Sequence, residues 1–356
     1  MRNFIFNAVF VVFTILLLSC EKEQTSSTSQ AVGLQNGLII LNEGNYYSQI
    51  DGSVSFLSLT DSVMNNNVFT TVNGKSIGNT PNDIVSAAGR FFIAVTDENL
   101  VWVTDDSLRI ICQITIPQPR HLTTMNDVVF VSTYEGRVYS IDAYTLDKKQ
   151  SDIVGSCLED ITNRAGYIYV CNAFTPGANY DYSYHTNIIK LDDNLQKISD
   201  INVTCNPTQI ETYGDDIYLL SQGNYADTNS SIQRITVSDQ VEPLHIEATA
   251  FTIAGDNLYY ISTTYAADWS QHTEYRVMDL TTRTSSIFTL GNDIAYPSSI
   301  YADQETNNVY ITSLKLSEYG YGDYNSPGYV VCYNPQGIPI KKFTVGVCPK
   351  TMLKVK

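Results

Sequence analysis

Residues 81–122 read PNDIVSAAGRFFIAVTDENLVWVTDDSLRIICQITIPQPRHL, and this stretch decides the fold. Pro81-Asn82-Asp83-Ile84 opens a short apolar strand. The Ala88-Gly89 turn reverses the chain into Phe91–Val95, an aromatic-apolar strand. Leu100–Val103 and Ile110–Ile114 follow, each short and rich in β-branched residues. Pro119-Arg120-His121-Leu122 then starts the same pattern again.

The unit recurs through the rest of the chain. Pro119–Leu122 leads to Val128–Val131 and Val138–Asp142. Leu158-Glu159-Asp160-Ile161 leads to Tyr167–Val170 and Ile188–Asp192. Pro207-Thr208-Gln209-Ile210 leads to Ile217–Leu220 and Ile232–Ile235. Thr249-Ala250-Phe251 leads to Leu258–Ile261 and Tyr275–Leu280, and Pro297-Ser298-Ser299-Ile300 leads to Val309–Ile311 and Tyr329–Tyr333. A last opening, Pro349–Leu353, stops after one strand, and residues 38–41, 54–59 and 68–72 supply the strands it lacks. The expected fold is therefore all-β: a seven-bladed β-propeller whose C-terminal strand completes the blade begun by the N-terminus, leaving no open sheet edge. Counts of six or eight blades stay open. No segment carries a capped stripe of period 3.6, so helix should be scarce.

The N-terminus speaks to compartment. Arg2, the apolar run Phe4–Leu18 and Leu17-Leu18-Ser19-Cys20 read as a signal peptide over 1–19, too short to span a bilayer. Its ending resembles a bacterial lipobox, with Cys20 as the lipidated residue; an ordinary secretory signal with an incidental cysteine is the alternative. Residues 20–36, polar and without periodicity, read as a tether, and 37–356 as the propeller. After removal of 1–19 the chain keeps 20 basic against 37 acidic residues, a net charge of −17. That balance argues against nucleic acid or an anionic lipid surface as partner. Cys112, Cys157, Cys171, Cys205, Cys332 and Cys348 show no metal-site spacing, and leave disulfides and buried thiols both open.

The 25 tyrosines concentrate in loops that a propeller gathers on one face: residues 42–47, 174–185, 223–225, 265–272 and 317–327. The turns expected on the other face, such as Ala165-Gly166 and Gly255-Asp256, are short. Aromatic and amide-bearing loops on a rigid scaffold point to ligand binding, with mutual packing of the rings as the alternative. No nucleophile elbow, zinc-protease motif or phosphate loop is present, so no catalytic residue is expected. The blade openings place Asp83, Arg120, Glu159, Gln209, Ala250, Ser298 and Lys350 around the axis. A ring so mixed in charge is a poor cage for a hard cation, so neither a metal nor a cofactor is expected. Arg120 and His121 should point into the channel, either toward a ligand or as a rim pair.

Asn42-Glu43-Gly44-Asn45, Gly52-Ser53-Val54-Ser55 and Asn82-Asp83-Ile84 resemble the opening of the YncE-like propeller lipoproteins of gut anaerobes. Ile116-Pro117 with Arg120-His121, Val131–Tyr134 and Gly136–Val138 is similar to their second unit, and Tyr169–Asn172 to their third. The resemblance covers the mature chain and extends to the BtuG-type members. It implies a cell-surface, outer-membrane lipoprotein that captures cobalamin or another corrinoid and passes it to a TonB-dependent outer-membrane transporter. By motif position it implies ligand contacts from Asn45, Tyr47, Asn82, Asp83, Arg120, Tyr134, Asn172, Phe174, Asn224, Tyr265 and Trp269. The long tyrosine loops are this chain's own, and another cargo (a glycan or a protein) or a lyase or hydrolase activity is the alternative.

Overall fold

In the computed structural model, residues 34–265 and 271–356 are described; the signal peptide, Cys20, most of the tether and Trp269 lie outside them. Among the described residues, seven antiparallel sheets of four main strands follow one another around a ring. Blade 1 runs outward from Pro349–Val355 through Gly37–Asn42 and Ser53–Ser58 to Val63–Asn65. Leu38 lies opposite Lys354 and Ile39 opposite Leu353, so the two ends of the chain close the ring by hydrogen bonding. Blades 2 to 7 open with the inner strands Pro81–Ala87, Pro119–Met125, Leu158–Arg164, Pro207–Tyr213, Ala250–Ala254 and Tyr296–Ala302. These starts lie within one residue of those read from the sequence. Blade 7 carries an extra two-residue strand, Gly322–Asp323.

The strand Gly37–Asn42 shows why such a sequence makes a ring. Its side chains alternate between faces, and both faces are covered. Ile39 and Leu41 pack toward blade 2 with Ile84, Phe91, Ile93 and Val95. Leu38 and Ile40 pack toward blade 7 with Tyr310, Val330 and Cys332. Each such side chain contributes about 1.5–3 kcal/mol on full burial, and only a blade on either side provides it. The packed body reaches back to Leu34, 4% exposed in the first of these clusters.

Residues 68–72 depart from expectation. They form not a strand but the helix Val68–Asn73, and the outer strand of blade 1 ends at Asn65. β-Branched residues favour a strand here, but burial decides: the helix presents Val68, Phe69 and Val72 to the core, with Phe69 6.0 Å from the Trp102 ring. Gly74, at φ 67°, closes it in a conformation that a side chain would strain. Asn73 locks the helix to blade 2, donating to the Phe69 and Leu108 carbonyls at 3.0 and 2.8 Å and accepting from Ile110 N–H at 3.0 Å. Asn73→Ala is expected to lower stability by about 1–2 kcal/mol, read as a shift in denaturant midpoint at unchanged slope.

Neighbouring inner strands are tied by the third residue of several unit openings. Asp83 accepts from Leu122 N–H at 2.8 Å, and Asp160 from Ile210 N–H at 2.9 Å. Gln209 does the same with a neutral group, donating to the Phe251 carbonyl at 2.7 Å and accepting its N–H at 3.2 Å. Ser299 donates to the Lys350 carbonyl. Cys157, Cys171, Cys205, Cys332 and Cys348 are free thiols.

Candidate functional site

Where the inner strands meet the axis, a cavity of about 460 Å³ opens, lined in part by Asp83, Arg120, His121, Glu159, Asp160, Tyr225 and Lys350. Its floor is a buried polar network. The Arg120 guanidinium donates to Glu159 Oε2 from Nε and Nη2, at 3.2 and 2.9 Å, and to Asn82 Oδ1 from Nη1 at 2.9 Å. It lies over the Tyr134 ring, 4.4 Å from the centroid, and the Tyr134 hydroxyl donates to Glu159 Oε1 at 2.5 Å. The His121 ring sits among three carboxylates: Nδ1 is 3.5 Å from Asp83 and 3.6 Å from Asp160, and Nε2 is 3.7 Å from Glu159.

Burial and charge set the proton balance. Burial opposes charge on Arg120, but Glu159 outweighs it and the guanidinium is held more firmly protonated than usual. Burial pushes Glu159 up, yet Arg120 and His121 bring it below the usual carboxylate range. The His121 imidazole is disfavoured as a cation by burial and raised on balance by Asp160 and Asp83. Tyr134 is pushed far up by burial and by the Glu159 charge, so its hydroxyl stays a donor. Asp160 is pushed up to about 6, chiefly by burial. Further down, Glu211 is pushed up to about 8 by burial and by Asp160, with the Ile253 N–H opposing. Of these carboxyls Glu211 alone keeps its proton into the neutral range, while Glu159 is ionised beside Arg120.

From this network an aromatic wall crosses the loop face. Tyr134 meets Phe174 at 6.0 Å, Phe174 meets Tyr182 at 5.2 Å, Tyr182 meets Tyr184 at 6.4 Å and Tyr184 meets Tyr225 at 5.8 Å. Three of these four contacts are edge to face. Tyr225, 73% exposed, ends the wall at the rim of the cavity.

The eleven residues expected at a ligand fall into separate groups. Arg120, Tyr134, Asn82 and Asp83 converge on the channel mouth, and Phe174 joins them through the wall. Asn82 is fully buried and engaged with Arg120 through both ends of its amide, and Asp83 bonds to Ile84 and Leu122 N–H groups. Both hold blades together. Asn172 is likewise inward, accepting from Ser156 N–H and donating to Asn187, each at 2.9 Å. Asn224 folds its own loop, accepting from the N–H groups of Ala226, Asp227 and Thr228. Asn45, Tyr47 and Tyr265 stand away from the mouth. Asn45 bridges to the Tyr324 carbonyl and to Asn325, Tyr47 is 95% exposed, and Tyr265 is half-exposed beside Tyr296. Trp269 is outside the described residues.

Glu159, Asp160, Tyr182, Tyr184, Tyr225 and Glu211 also belong to the site, although the sequence does not single them out as ligand contacts. Glu159-Asp160 occupies the same place in its unit as Asn82-Asp83 and Arg120-His121, so superposing the repeats reveals it. Nothing in the local sequence marks Glu211, whose position against blade 6 is a product of ring closure. Among the described residues no group of three or more His, Cys, Asp or Glu side chains is disposed to hold a metal ion.

Fold and site together define a seven-bladed β-propeller with a polar, charged channel mouth bordered by an aromatic wall. No family model and no curated protein matches the chain. Among solved structures it is similar to apo AztD from Citrobacter koseri, with a TM-score of 0.53 at 12% identity over 90% of this chain and 97% of that one. It is also similar to the dihydro-heme d1 dehydrogenase NirN in complex with DHE, at 0.50 and 10% identity over 92% and 76%. At such identities the likeness speaks for the fold alone.

Proposed function

We propose that this protein is a binding propeller of the outer-membrane surface, anchored through Cys20, which captures cobalamin or a related corrinoid and delivers it to a TonB-dependent transporter without chemical turnover. The observation that carries the reading is the aromatic wall from Tyr134 to Tyr225 ending at a cavity with fixed polar groups. A corrinoid is broad and apolar at its ring, with amide side chains at its rim. Such a ligand would lie across the wall with its amides over Tyr225, Gln222 and Lys350 at the mouth. Preorganised rings and a buried, self-satisfied network keep the cost of ordering low. The sequence resemblance to BtuG-type lipoproteins supports the same reading.

The test is calorimetric titration of cyanocobalamin into protein lacking residues 1–20, with cobinamide alongside. The expected result is saturable one-to-one binding at nanomolar strength, weakened at least tenfold by Tyr225→Ala. Heat equal to dilution would reject the corrinoid reading. A response to oligosaccharides in its place would assign the wall to glycans.

A further inference from the structure

Away from the mouth, over blades 1, 2 and 7, Tyr46 and Tyr47 form a knob whose rings meet edge to face at 5.8 Å. They are 57% and 95% exposed, a high exposure for adjacent aromatics. The knob is held in place from beneath. Asn45 caps the short turn Tyr46–Ser48 and reaches across to the Tyr324 carbonyl and Asn325 at 3.2 and 2.9 Å. A cleft lies on either side. One, of about 500 Å³, is lined by Glu43, Asp97, Thr80 and Tyr324 besides the knob; the other, of about 360 Å³, by Gln49, Asp51 and Asn79. Among the described residues no Lys, Arg or His lines either cleft, but Lys350 pairs with Glu43 at 3.0 Å, so Asp97 and Asp51 are the carboxylates the clefts offer; Glu98 stands next to Asn79, accepting its backbone N–H at 3.2 Å. Asp51, Asp97 and Glu98 are exposed, and their hydrogen bonds go to the neutral groups of Asn79 and Thr80.

From this charge and shape we infer that the Tyr46–Tyr47 knob and its two clefts form a docking surface for a protein partner presenting a lysine- or arginine-rich loop. Each cleft offers a basic side chain a carboxylate, Asp97 in the first and Asp51 in the second, and a tyrosine face for cation–π contact. A purely apolar partner would leave these carboxylates unpaired, and a nucleic acid or anionic membrane would be repelled. The chain's overall negative charge would speed the encounter, and the knob would give it a register. The surface does not depend on which cargo the mouth holds; if the protein hands on a ligand, this is the edge of the loop face that a receiving partner's basic loop would grip.

The experiment uses a synthetic decapeptide of alternating arginine and glycine, and the same peptide with citrulline in place of arginine, titrated into the protein at 20 and 200 mM salt. The arginine peptide is expected to saturate at one site at low salt and to weaken steeply at 200 mM, with the citrulline peptide silent. Tyr47→Ala combined with Asp51→Asn and Asp97→Asn should weaken binding at least tenfold, while cyanocobalamin titrations stay unchanged. As a control for bulk charge, Asp192→Asn with Asp193→Asn removes two carboxylates from a distant turn. If that variant loses as much peptide affinity as the knob variant, or if the knob variant binds like the wild type, the inference is overturned.

Discussion

Replacing Arg120 with methionine is expected to destabilise the propeller by about 3 kcal/mol or more, because it leaves the Glu159 carboxylate enclosed without its cation. Both partners are 11% exposed at the side chain, and three of the hydrogen bonds that hold blades 2, 3 and 4 together converge on this guanidinium. The remaining neighbours of Glu159, the Tyr134 hydroxyl and the more distant His121, replace only part of what is lost. Without Arg120 the folded-state pKa of Glu159 rises, so the loss should be largest at neutral pH and shrink as the carboxyl takes up a proton in acid. Combining Arg120→Met with Glu159→Gln should recover more than half of the loss, since no orphaned charge remains. Urea titrations of the three proteins at pH 7 and pH 5 decide it. A single variant within 1 kcal/mol of the wild type would mean that channel water already solvates the pair.

Glu211 supplies the second large effect, of opposite sign. Its carboxyl is pushed up to about 8 in the folded protein, against an ordinary value of 4.5. A raised folded-state pKa means that the folded state holds a proton the unfolded chain has released. The stabilising contribution is fully present below pH 4.5, falls as pH rises and is gone above about 8. Glu211→Gln keeps an acceptor for the Ile253 N–H and never ionises. It should exceed the wild type by a little under ~1 kcal/mol at pH 5 and by roughly 4–5 kcal/mol at pH 8.5. Thermal melts at the two pH values read this directly. A variant equally stable at both, relative to the wild type, would show that Glu211 ionises freely in the channel. Asp160, at about 6, should add a smaller decline in the same direction between pH 4 and 6.

Part of the site is legible in the amino-acid sequence. Arg120, His121 and the other blade openings read as axial because their position in the repeat is periodic, and the tyrosine loops stand out because they interrupt short turns. What each side chain does there is not legible. Asn82 and Asp83 carry the same residue types that contact a ligand in many sites, yet here they bond Arg120 and Leu122, 38 and 39 residues away. Asn224 is the clearest case: its amide oxygen is filled by three N–H groups of its own loop.

The sequence by itself determined the strand units, an expected count of seven and the closure of the ring by Pro349–Val355, because apolar runs and turn residues act over a few neighbours and repeat with the blade. The structure settled seven over six or eight. Only the tertiary structure decided which groups share the channel, because those partners come from different blades and meet only once the ring closes. It also decided that Val68–Asn73 is a helix, where burial against Trp102 outweighs the strand preference of Val, Phe and Thr. The rise of Glu211 to about 8 has the same origin: a carboxyl ordinary in the chain is enclosed by walls that other blades supply.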